Sequence, residues 1–187
     1  MGRRVIPVLS VIGRSNTGKT TVIEKLIPML NAKNIRVATI KHHLHDFESD
    51  RQGKDSYRLK KAGARISMIV SPQKVAFTAD TERELTLAEL VSAYIRDVDL
   101  VIVEGFKEER APKIEIYRYS EGIAPLCRDD RDVIALMSDR PVDAPVPVLS
   151  RDDVEKAAEM ILSILKLNIG SGVQGPGSRK KRTSADS

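Results

Sequence analysis

Apolar residues in this chain fall into short unbroken runs, separated by stretches in which they recur every three or four positions. Val5 to Ile12, Ile35 to Ile40, Val98 to Val103 and Val133 to Met137 are rich in Val and Ile, the pattern of strands covered on both faces. Between them Val22, Ile23, Leu26 and Leu30 have helical spacing, although Pro28 inside that segment must kink the helix or disturb its ladder. A second stripe joins Leu87, Leu90, Val91, Tyr94 and Ile95, and Thr86 with Glu89 opens it at the spacing of a capping box. A third joins Val154, Ala157, Ala158, Ile161, Leu162 and Leu165, with Ser150, Asp152 and Asp153 supplying capping and acidic groups at its start. Two segments depart from simple alternation. Ile66 to Ser71 and Val75 to Ala79 flank Pro72 and Gln73 like a β-hairpin, and Lys113 to Tyr119 reads as a further strand, open to an antiparallel direction. The pattern predicts a three-layer α/β fold with a mainly parallel, partly mixed sheet and a β-hairpin insertion. Ligands of such sheets bind beyond the C-terminal ends of the strands.

That rule gives weight to residues 13 to 20, which read GRSNTGKT and lie between the first strand and the first helix. They fit the phosphate-loop pattern GxxxxGK[ST], whose backbone N–H groups must turn inward to wrap a polyphosphate. Gly13 and Gly18 leave room for that approach, and Arg14, Ser15, Asn16, Thr17 and Thr21 complete the expected nucleotide-binding set. Lys19 is expected to reach the β- and γ-phosphates and Thr20 to offer its hydroxyl to Mg²⁺, while the helix points its positive end at the anion. A chance GK[ST] in a surface turn is the alternative, and the strand before and helix after argue against it.

Composition narrows the class. At 187 residues the chain is long enough to bury a full core in one domain. No apolar stretch approaches the roughly 20 residues of a membrane span, and the N-terminus has no signal-peptide layout, so a cytoplasmic location and no membrane partner are expected. The lone Cys127 excludes an internal disulfide and is expected in the core or on the surface. The formal charge of +5 resolves into its ends: without Arg3, Arg4, Arg179, Lys180, Lys181, Arg182 and Asp186, the chain carries 25 basic and 25 acidic residues. The body is therefore neutral, and with 4% aromatic residues no stacking platform for nucleic acid is expected. Residues 1 to 167 are read as a nucleotide-binding domain and 168 to 187, rich in Gly, Ser and basic residues, as a disordered tail.

Two further segments converge on the same end of the sheet. Asp99 to Glu104 reads DLVIVE, a buried strand delivering Glu104 at its C-terminal edge, where a carboxylate acts on Mg²⁺ directly or through water. The alternative for Glu104 is an ion pair with Lys107 or Lys113. Asp99, at the other end of that strand, reads as a surface or cap residue. Residues 41 to 58, KHHLHDFESDRQGKDSYR, hold every histidine of the chain. Lys41, His42, His45 and Arg51 are expected to meet anionic groups, and Asp50 or Asp55 to position Mg²⁺ or water. Two alternatives stand: a metal site using His43, His45 and Asp46 or Asp50, and, for Asp55 and Ser56, a plain helix start.

The phosphate loop GRSNTGKTT, the stretch KHHLHDFESDRQGKDSYRLKKAGA from Lys41 to Ala64, and VEGFK from Val103 to Lys107 together resemble the MobB family, the adapters of molybdopterin-guanine dinucleotide biosynthesis. The first motif is widely shared; the other two, in this order and spacing, are more selective. The resemblance spans roughly residues 5 to 167. It implies a phosphate-loop NTPase-type fold and a homodimeric GTP-binding protein that is at most a weak GTPase. It also implies association with the molybdenum cofactor guanylyltransferase, and extends to the molybdenum-inserting enzyme as a second partner. By the same resemblance Gly13, Gly18, Lys19 and Thr20 take the phosphate and Mg²⁺ roles, Asp50, Asp55 and Glu104 match the family's acidic positions, with Asp50 and Glu104 as the catalytic and metal carboxylates, and Lys41, His42 and His45 form its KHxxH element. The guanine-reading NKxD motif is missing. Asp139, in MSDRP after the Val133 strand, is a candidate to accept hydrogen bonds from guanine, or else a turn residue before Pro141.

Two other functions compete with the adapter. A small-molecule kinase would use Lys19, Glu104 and an acceptor pocket of His42, His45 and Asp50, and a metallochaperone GTPase would use the His-rich segment. No residue is assigned as an arginine finger in the same chain, Arg14 and Arg51 being the candidates, and without one slow hydrolysis is expected.

Overall fold

A computed structural model describes residues 5–43 and 53–167. His45, Asp46, Asp50, Arg51 and the expected tail lie outside the described residues. The hydrophobic runs become strands: β1 (Val8–Ile12), β2 (Val37–Lys41), β5 (Leu100–Glu104) and β7 (Val133–Ser138). They join β6 (Lys113–Tyr117) and the short β8 (Val148–Ser150) in a six-stranded sheet of order β2-β5-β1-β6-β7-β8. Every pairing in that sheet is parallel. The strand expected over 113 to 119, whose direction the sequence left open, runs parallel between β1 and β7, and the antiparallel pairing is confined to the separate hairpin.

Helices cover both faces. α1 (Lys19–Ala32) and α4 (Val154–Ile164) pack on one side, where Leu26, Leu30, Ala157, Ala158 and Ile161 meet Leu9, Val11, Ile102 and Ile114 of the strands, all fully buried. Pro28 lies inside α1, which continues to Ala32 despite the N–H that proline lacks. The other face is covered over β5 by α3 (Leu87–Tyr94), whose capping box is formed as the sequence predicts: Glu89 N–H donates to Thr86 Oγ1 and Thr86 N–H to Glu89 Oε2. Over β6 and β7 that face is closed by loops, including a 3₁₀ turn at Leu126–Arg128 that buries Cys127.

The hairpin forms its own two-stranded antiparallel sheet, β3 (Ile66–Val70) with β4 (Val75–Ala79). The short α2 (Asp55–Lys61) lies against β3, where Ser67 Oγ donates to Ser56 O. Among the described residues no helix is long and apolar enough to cross a membrane.

β1 is the strand at which the chain changes direction, with β5 on one side and β6 on the other. The crevice beyond its C-terminal end is where an open parallel sheet binds its ligand, and the register places Lys41, Glu104 and Val11 abreast there.

Candidate functional site

The loop after β1 folds back on itself before α1 begins. Gly13 has φ +144°, and a Cβ there would lie 2.3 Å from the carbonyl oxygen of Ile116 on β6. Only glycine lets the loop pass this close to the neighbouring strand. Asn16 adopts φ 61°, a left-handed conformation that Asn tolerates, and Gly18 (φ 91°) caps α1. Thr17, 7% exposed, donates to Arg14 O at 3.0 Å. Lys19 Nζ donates to Gly13 O and Arg14 O, at 3.1 and 2.8 Å, so its charge sits inside the curl of the loop. Arg14, Ser15, Asn16, Thr20 and Thr21 are exposed.

Glu104 ends β5 beside this loop. Its Oε2 accepts the Thr20 hydroxyl at 2.8 Å, and its Oε1 lies 3.5 Å from Lys41 Nζ. The alternative of a pair with Lys107 or Lys113 is not what the structure shows. Lys107 Nζ lies 3.6 Å from Glu108, and Lys113 Nζ donates to Lys107 O and Asp130 at 2.7 and 2.8 Å. Three strand ends thus bring the phosphate loop, Glu104 and Lys41 together.

His42 does something else. Its Nε2 is 2.9 Å from Glu84 Oε1, and its ring stacks on Phe106 with centroids 4.1 Å apart. Phe106 follows Gly105, and both have positive φ, 51° and 104°. A bulky residue in that region is strained, and such strain gathers at functional sites. Sequence reasoning quoted this Gly-Phe pair and gave Phe106 no role; the glycine before it was the available signal of a sharp turn. Lys19, His42, Phe106, Glu84 and Leu126 line a cleft of about 770 Å³ beside the phosphate loop.

Asp55 opens α2 and lies 3.6 Å from Arg58, the helix-start alternative, and the described contacts of Lys19, Thr20 and Glu104 do not include it. Asp139 lies just beyond β7, where its Oδ1 accepts the Tyr119 N–H at 2.9 Å. That hydrogen bond, helped by the charges of Arg151 and Arg118, holds its carboxyl below the usual range. Asp99 binds Arg36 at the far end of the sheet. Among the described residues no three His, Cys, Asp or Glu side chains gather to hold a metal.

The family model "MobB: Molybdopterin guanine dinucleotide synthesis protein B" matches residues 8–139. The chain belongs to the MobB family. It is 42% identical over 173 residues to a molybdopterin-guanine dinucleotide biosynthesis adapter protein of Escherichia coli K12, covering 90% of this chain and 99% of that one. It is 38% identical over 157 residues to one of Haemophilus influenzae, covering 83% and 88%. A crystal structure of Bacillus subtilis MobB superposes with a TM-score of 0.66 at 28% identity, covering 84% of this chain and 97% of that one. The MobB match takes in the phosphate loop, Glu104 and Asp139, and ends before β8 and α4.

Proposed function

We propose that this chain is a GTP-binding adapter that assists the molybdenum cofactor guanylyltransferase in forming molybdopterin guanine dinucleotide. Family membership supports the pathway. The observation that carries the nucleotide part is the 2.8 Å contact between Thr20 Oγ1 and Glu104 Oε2 at the mouth of a loop that has Lys19 at its centre. Two hard oxygen donors beside a phosphate loop suit Mg²⁺, which takes few protein ligands and completes its shell with water and phosphate. Bound there, Mg²⁺ would neutralise charge on the terminal phosphates. Thr20 and Glu104 would hold it, Lys19 would bind the phosphates, and Lys41, 3.5 Å from Oε1, would orient the Glu104 carboxylate. The choice of GTP over ATP rests on the family, with Asp139 as the proposed base-reading group. Arg14 is exposed on the loop, in keeping with weak hydrolysis at most.

Two copies are proposed to associate through the hairpin. Met68 faces Phe77 across its strands and Val70 faces Val75. These four and Ile66 form one apolar face, each 46% exposed or more, and an isolated two-stranded sheet gains little stability by itself. We place the protein in the cytoplasm, with the guanylyltransferase as its partner and the molybdenum-inserting enzyme as a second.

Titration calorimetry with GTP and with ATP, each with Mg²⁺, tests the nucleotide reading. GTP should bind well above ATP, and Lys19→Ala should abolish binding without unfolding the protein. Unchanged affinity in that variant would sink the phosphate-loop assignment. A guanylyltransferase pull-down in GTP tests the adapter role. The cleft beside Lys19 is the one observation that favours a second reading, a small-molecule kinase; ATP-only binding would direct the search to a phosphate acceptor there.

A further inference from the structure

Arg151 stands directly after β8, beyond the segment that the family model matches. Its N–H donates to Ser138 O at 3.1 Å, which fixes the residue at the C-terminal edge of the sheet. Its side chain then crosses to the phosphate loop. A Cβ added to Gly18 would lie 2.2 Å from Arg151 Nη2 and 3.4 Å from Cζ, so the guanidinium lies on the N-cap of α1. Its Nε is shielded from solvent and has no hydrogen-bond partner.

The Asp139 carboxyl, which feels the Arg151 charge, attracts this guanidinium, but the helix end on which it lies does not. The N-terminal end of a helix carries partial positive charge and favours anions, and the first turn of α1 contains no acidic residue to offset a cation. The Lys19 ammonium is already in the loop. An arginine brought onto the same spot adds repulsion, and its shielded Nε forfeits a hydrogen bond to water. An anion bound at the loop would reverse both penalties.

We propose that Arg151 is a phosphate-binding residue of this site, supplied from the β8–α4 junction to the α- and β-phosphates of the bound nucleotide. The inference deepens the nucleotide-binding reading and rests on it. Backbone N–H groups of a phosphate loop cradle the α- and β-phosphates while its lysine serves the β- and γ-phosphates. Arg151 lies at Gly18, between Lys19 and the Asp139 loop whose carboxyl feels its charge. That is the diphosphate end of the site, where a planar guanidinium can donate two parallel hydrogen bonds to phosphate oxygens.

The test uses the full chain and its Arg151→Met and Arg151→Lys variants, titrated with GDP and with GTP in Mg²⁺. Arg151→Met should weaken both nucleotides by the same factor, about tenfold or more. Arg151→Lys should retain part of the affinity, because it keeps the charge and loses the fork. The nucleotide-free melting temperature of Arg151→Met should equal or exceed that of the wild type, since the replaced group is a cation at the positive end of a helix. A purely structural arginine would show the opposite: a lowered melting temperature with nucleotide affinity intact. Unchanged or tighter binding of GDP by Arg151→Met overturns the inference while leaving the phosphate loop standing. Failure of the wild type to bind either nucleotide overturns both.

Discussion

Gly13→Ala separates close approach from backbone strain at the phosphate loop. Alanine at φ +144° must adopt a conformation that L-residues rarely occupy, at a cost of about 1–3 kcal/mol. Its methyl would also sit 2.3 Å from Ile116 O and 2.9 Å from Thr17 Oγ1. The first of these is backbone in the centre of a six-stranded sheet and has no side chain to swing aside. Opening that contact to ordinary distance displaces β6 from β1, an overpacking cost of about 1–3 kcal/mol. The two together come to about 2–6 kcal/mol, a large part of the roughly 5–15 kcal/mol that holds a domain folded. Gly122→Ala is the control: φ there is +73° and no atom lies within 4 Å of the added Cβ, so only the strain of about 1–2 kcal/mol applies. Urea unfolding of both variants measures the difference. Equal losses, within about 0.5 kcal/mol, would show that the loop does not depend on its approach to β6 and refute the reasoning.

Met68→Glu puts a charge in the middle of the apolar hairpin face and should convert a dimer to a folded monomer in sedimentation velocity; a dimer that persists would place the contact elsewhere. Cys127 is buried and near the Glu115 carboxylate, which together hold its thiol up at about 11. Iodoacetamide at pH 8 should therefore label it far more slowly in the native protein than in urea, because only about a thousandth of such a thiol is ionised at that pH. The native state keeps the thiol proton longer than the unfolded chain. This contribution to stability is thus full below the ordinary value of 9.0 and lost as pH rises towards about 11, and a Cys127→Ala variant should lack that alkaline component in its denaturation midpoint.

Strands buried on both faces write themselves as unbroken apolar runs, which is why β1, β5 and β7 were legible to within three residues at each end. β8 was not. Its three residues follow Pro141, Pro145 and Pro147, and a span that short has no period to read. β6 misled for a different reason: Lys113 and Glu115 alternate with Ile114 and Ile116 like a half-exposed strand, yet they are 3% and 2% exposed. Their charges are met by loops, and sequence carries no sign of that. In the site, the local motif and the strand-end acid could be placed because each is fixed by its own neighbours along the chain. The pairing of His42 with Glu84 and the approach of Arg151 to Gly18 join residues far apart in sequence, and only the folded sheet brings them together.

β6 explains how a sheet with one face partly bare of helices holds a defined crevice. Lys113, Glu115 and Tyr117 alternate onto the same side of the strand, and each binds a loop backbone rather than a helix. Lys113 donates to Lys107 O, Glu115 accepts the N–H groups of Leu126 and Cys127 at 2.9 Å, and Tyr117 donates to Ile123 O. Apolar side chains could cover the same area but could not satisfy those backbone groups, which burial would otherwise leave without partners. The buried Lys113–Asp130 pair adds little net stability by comparison with good apolar contacts, because desolvating two charges offsets most of their attraction. What it fixes is position. Lys107 and Leu126 line the cleft beside Lys19, and the same strand offers Ile116 O to the turn at Gly13. One strand thus sets both the path of the phosphate loop and the walls of the adjoining cleft.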